Sequence, residues 1–155
     1  MKSFKELGYT KHWEDSYKYF WKKEIDGQER EFVFSIGRRR RKKYWHYIGW
    51  QSLDFQDALA ILFEAANLDW AWSDNTFEDL GFSRREGAYW GGEQEDVYCC
   101  YICSDYKDTG PIVIQFNKLN KTWRIDGGYG DLDAEVAMAI AKHYIEQGWA
   151  QPEEV

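Results

Sequence analysis

The chain has 155 residues, among them nine Trp, eleven Tyr and nine Phe. That load of large apolar rings excludes a disordered tail. A mean hydropathy of -0.72, with no apolar run beyond Ala58–Phe63, argues against a membrane-spanning helix. The net charge of -7 is segregated: residues 1–72 sum to +2 and residues 73–155 to -9, so phosphate backbones are repelled except where basic groups cluster.

In chain order, Ser3-x-x-Glu6 is a capping signature and Gly8 a left-handed stop, so the chain opens with one or two turns of helix. A first strand follows over Tyr17–Ile25, with a turn at Asp26-Gly27. Arg30–Ile36 and Lys43–Ile48 read as second and third strands. Gly49 breaks the chain before a helix over Leu53–Asn67, in which Phe55, Leu59, Leu62 and Ala66 recur at helical spacing. The order then repeats. Thr76-x-x-Asp79 and Gly81 mark a second capped turn. Asp96–Asp105, Ile112–Phe116 and Thr122–Asp126 read as strands, and Leu132–Gln147 as a helix.

The repetition reaches the residues. Ser3–Tyr9 matches Thr76–Phe82, with Phe, Leu and Gly identical. Residues 44–70 match 123–149 without gaps, with Gly49/Gly128, Leu53/Leu132, Asp54/Asp133, Ala58/Ala137, Ala60/Ala139, Ile61/Ile140 and Trp70/Trp149 identical. Tyr44/Trp123 and Trp50/Tyr129 are conservative pairs, read as framework. Between these blocks Phe32–Ile36 matches Ile112–Phe116, and three collinear blocks mark a tandem duplication. The expected fold is α+β: two α-β-β-β-α units, 1–72 and 73–155, packed with pseudo-twofold symmetry into one body with about six antiparallel strands and two main helices. The α-β-β-β-α order resembles that of double-stranded RNA-binding domains, in topology only. Those domains begin their second helix with lysines, and the matching Leu53-Asp-Phe-Gln-Asp57 and Leu132-Asp-Ala-Glu135 are acidic.

Features present in one copy only are freer to serve something besides the fold. Arg38, Arg39, Arg40, Arg41, Lys42 and Lys43 form a basic hairpin tip, followed by Trp45 and Tyr47, which could stack on bases. Such a tip binds a polyanion, docks on the chain's own acidic second copy or merely blunts a sheet edge. The insertion Glu86–Gln94 carries Tyr89 and Trp90 among glycines. With Glu93, Glu95 and Trp72 it makes an acidic, aromatic candidate for anchoring in a protein partner. Cys99, Cys100 and Cys103 fall in a strand where alternation points Cys100 away from the other two, so they read as core thiols rather than zinc ligands. Their number, and an opening segment without an apolar stretch, suit a reduced, cytoplasmic setting. Asp126–Asp133 lacks the ligand spacing of a calcium loop.

No catalytic residue, cofactor site or metal site is expected. His12, His46 and His143 are scattered, and no nucleophile, zinc or phosphate-loop motif occurs. The sequence therefore points to a non-enzymatic protein that binds another protein, an inhibitor such as a phage anti-defence protein or an antidote being one form. Nucleic-acid binding through the 38–43 tip is the alternative.

Overall fold

The computed structural model describes residues 1–37, 43–87, 97–108, 110–126 and 131–155. Of the candidate residues, Arg38–Lys42, Tyr89, Trp90, Glu93 and Glu95 lie outside that set.

The opening segments are single hydrogen-bonded turns rather than helices. Ser3 and Glu6 exchange bonds, the Ser3 N–H to the carboxylate and the Glu6 N–H to the hydroxyl, both at 3.2 Å. Thr76 and Asp79 do the same, at 2.9 and 3.2 Å. Both turns close by a bond from the residue after glycine, Tyr9 N–H to Phe4 O and Phe82 N–H to Phe77 O. Gly8 and Gly81, at φ of 92° and 93°, allow that closure because a side chain there would be strained.

Among the described residues eight strands form, where about six were expected. The first sheet runs β1 (Thr10–Trp13), β2 (Lys18–Ile25), β3 (Gln28–Ser35) and β4 (Tyr44–Ile48), all antiparallel and in sequence order. The second runs β5 (Ser83–Glu86), β6 (Val97–Cys103), β7 (Ile112–Asn117) and β8 (Thr122–Asp126) in the same way. The edge strands β1 and β5 have no buried residue. They therefore carry no apolar alternation that a sequence could reveal, and they exist because β2 and β6 offer them ladders.

Among the described residues two α-helices form, α1 (Phe55–Asn67) and α2 (Ala134–Glu146), and Pro152–Glu154 adds a single 3-10 turn. Asp54 and Asp133 are their N-caps, one position outside the first turn. Each helix covers the inner face of one sheet. Tyr19 on β2 donates its hydroxyl to Glu64 on α1. Phe116 on β7 packs on His143 and Tyr144 of α2. The helices meet at Phe55 and Tyr144, whose rings lie 5.2 Å apart. One continuous core therefore runs through the molecule, from Phe4 and Trp45 to Trp123 and Ala150. No helix among the described residues is long and apolar enough to cross a membrane.

The sheets are also tied to each other reciprocally. Trp45 on β4 exchanges two backbone bonds with Leu132, at 2.7 and 2.8 Å, and its indole N–H donates to Asp133 O at 2.7 Å. Trp123 on β8 exchanges two backbone bonds with Leu53, and its indole N–H donates to Asp54 O at 2.7 Å. Each tryptophan thus clamps the residue before the other half's helix. This corrects the ungapped comparison by one position: Trp45, not the half-buried Tyr44, holds the place in the first sheet that Trp123 holds in the second.

Candidate functional site

That clamp removes Trp45 from the stacking candidates. It is wholly buried and its one donor is used. Tyr47 is half-buried, its ring 4.9 Å from Phe32 and its hydroxyl donating to Gln51 O at 3.3 Å, so it braces the chain beneath it. Trp72 is half-buried against the core. Lys43 is exposed, at the rim of a cavity of about 220 Å³ shared with Tyr44, Tyr106, Lys107 and Asp133.

Among the described large apolar residues, the most exposed is one that sequence comparison assigned to the framework. Trp50 is 93% exposed, and Ile48, two residues before it, is 51% exposed. Gly49 separates them because a Cβ there would press on the Tyr47 ring, with Cζ at 2.7 Å. The chain after Trp50 is pinned from below. Gln51 donates to Ile25 O at 2.8 Å and accepts from Arg30 Nε at 2.5 Å. Arg30 also donates to Ser52 O at 3.2 Å and pairs with Asp57 at 3.4 Å. Asp57 closes the capping box of α1 with Asp54 and accepts the Tyr9 hydroxyl at 3.0 Å. Burial, and then the Asp54 carboxylate, push Asp57 up to about 6, against these bonds. Trp50 is thus an apolar ring presented on a rigid, hydrogen-bonded base.

Acidic groups lie on the adjoining strands. Gln51 reaches the end of the β2–β3 hairpin, where Glu24, Asp26 and Glu29 are exposed. Glu31 stands directly across from Ile48, and Glu24 across from Glu29. Lys22 pairs with Glu29 at 2.8 Å and offsets one of these charges. Facing like charges cost stability, so the fold alone gains nothing from Glu24 opposite Glu29. An exposed tryptophan and acidic residues thus occur together in the first half of the chain.

The remaining candidates are placed as follows. Cys99 and Cys100 are buried and Cys103 half-buried, on a strand where Cys99 and Cys103 share the inner face and Cys100 takes the outer. Among the described residues no group of three His, Cys, Asp or Glu is arranged to hold a metal ion. Asp126 accepts from Arg124 at 2.8 Å, and Asp133 accepts from Tyr106 at 2.9 Å and Lys107 at 2.5 Å while capping α2. His46 lies 3.9 Å from Asp131, and burial holds its pKa below the ordinary value. His143 is buried beside Tyr101, Nδ1 to hydroxyl 3.2 Å, and burial, then Arg84, lowers it to about 4.

Comparisons with protein-family models, with curated proteins and with solved structures return no match for this chain.

Proposed function

We propose that the protein is a non-enzymatic binding protein that engages another protein through the Ile48–Trp50 tip and the acidic groups of the adjoining strands. The exposure of Trp50 carries this reading. An exposed tryptophan held on a hydrogen-bonded base is the usual form of an interface anchor. Glu24, Asp26, Glu29 and Glu31 suit a partner with a basic rim, as when an inhibitor occupies a cationic groove. The test compares the protein with its Trp50→Ala variant as bait in extracts of the source cells. A stoichiometric protein retained by the first and lost by the second supports the reading. Equal recovery by both, or recovery of nucleic acid alone, overturns it.

The scaffold for this surface is, on the same proposal, a tandem duplication with halves at 1–72 and 73–155 related by a pseudo-twofold axis. The paired capped turns, the glycines of like φ and the reciprocal tryptophan clamps support it.

A second reading, nucleic-acid binding through residues 38–43, is favoured by Lys43 and Lys107 sharing one cavity rim. Sub-micromolar binding to DNA or RNA that weakens steeply with salt, and that Lys43→Ser with Arg38–Arg41→Ser removes, would establish it.

A further inference from the structure

We propose that Trp13, Tyr19 and Trp21 form a receptor for a quaternary ammonium group, in which the Lys11 side chain is the resident occupant. The Lys11 ammonium lies 4.2 Å from the Tyr19 ring centroid, 4.9 Å from that of Trp13 and 5.9 Å from that of Trp21. Three rings around one cation are the arrangement that recognises methylated ammonium groups. Among the described residues the Lys11 ammonium has no carboxylate within ion-pair distance and no hydrogen-bond acceptor. Ring faces offer no acceptor of their own, so a nitrogen without N–H donors gives up nothing in leaving water for them, whereas a primary ammonium does.

The fold sets the walls. Tyr19 is the floor, 1% exposed and held by its hydroxyl, which donates to the buried Glu64 carboxylate. Trp13 is the open wall, 57% exposed and tilted 4.9 Å from Tyr19. Trp21 is the far wall, stacked on Phe4 and so fixed in place.

Two of these rings, Trp13 and Tyr19, have no aromatic counterpart in the second sheet, whereas Trp21 faces Lys11 as Tyr101 faces Arg84. In the first sheet one row across the strands reads Trp13, Tyr19, Phe34, Trp45. The row that ends on Trp123 in the second sheet reads Glu86, Cys99, Phe116, Trp123. A sheet edge of the same build therefore stands with a carboxylate and a thiol where the first has two aromatic rings.

The experiment follows the Trp13 and Trp21 indole N–H signals by NMR while tetramethylammonium is added to the full chain carrying Lys11→Ala, with the amide spectrum as a check on folding. Saturable shifts of both signals are expected, at least about threefold tighter than for the unaltered chain, where Lys11 competes. Lys11→Ala combined with Trp13→Ala should lose them. The neutral isostere 3,3-dimethylbutanol should bind at least about threefold more weakly. A trimethyl-lysine peptide binding more tightly than phosphocholine assigns the site to a modified side chain, and the reverse order to a choline headgroup. No saturable shift in the folded Lys11→Ala chain, or equal binding of the neutral isostere, overturns the proposal. Lys11→Thr, a strand-forming residue, carries the same test if the alanine variant does not fold.

Discussion

Two tryptophans five residues apart do opposite things. Trp45 is wholly buried with its indole bonded, and Trp50 is 93% exposed. Trp45→Ala should cost about 3–5 kcal/mol, the range for emptying a buried aromatic site. Trp50→Ala should change stability by less than about 0.5 kcal/mol. Urea denaturation of the two variants checks both, and a large loss for Trp50→Ala would show that the tip belongs to the core. Two buried titratable groups give opposite pH responses. Asp57 is raised to about 6 from its ordinary 3.8, so its contribution is full below about pH 4 and is lost as pH rises through 6. His143 is lowered to about 4 from 6.5, so its contribution is full above pH 6.5 and is lost as pH falls toward 4. Between pH 4 and 6.5 the two slopes oppose each other. Asp57→Asn should make stability rise more steeply with pH in that window, and His143→Gln should make it fall. Denaturation midpoints measured across the window decide this, and unchanged slopes would contradict it.

At the scale of elements, the helix caps look alike in sequence and differ in load. Asp54 is exposed and accepts the Asp57 N–H at 3.1 Å. Asp133 accepts the Val136 N–H at 3.4 Å and also holds Tyr106 and Lys107. Asp54→Ala should therefore cost about 1 kcal/mol, the ordinary price of a cap. Asp133→Ala should cost about 2 kcal/mol, because it also leaves the buried Tyr106 hydroxyl without its acceptor. Equal losses on denaturation would mean that the Tyr106 bond adds nothing. The strands show what an element's sequence can reveal. β2, β3, β4, β6, β7 and β8 were legible from runs of β-branched, aromatic or sulfur side chains. β1 and β5 were not, because Thr-Lys-His-Trp and Ser-Arg-Arg-Glu bury nothing. The opening helices were overestimated, because a capping box and a glycine specify one turn and do not by themselves propagate it.

Across the whole molecule, neither half completes itself. Trp45 needs Leu132 and Asp133, Trp123 needs Leu53 and Asp54, and Phe55 meets Tyr144. Residues 1–72 or 73–155 alone would expose a tryptophan clamp and one face of a helix. Each fragment should lack a cooperative unfolding transition by circular dichroism, and the full chain should show one. A fragment that unfolds cooperatively by itself would show that the halves are independent domains. The candidate surfaces are also properties of the whole. The Trp50 tip depends on Arg30 and Gln51 joining β3 to the segment before α1, and the Lys11 site depends on β1 pairing with β2.

What the sequence determined by itself was local: the reciprocal caps at Ser3/Glu6 and Thr76/Asp79, the turns at Gly8 and Gly81, the two helices, and the alternation of Cys99, Cys100 and Cys103. Each depends on residues a few positions apart, whose spacing is written in the chain. The tertiary structure alone decided that Trp45 and not Tyr44 enters the core, that Trp50 faces outward, and that three aromatic rings gather around Lys11. These outcomes rest on strand register, and a shift of one residue moves a side chain from one face of a sheet to the other. Register is set by pairing across the whole fold, so residues alike in composition were separated only once the sheets had closed.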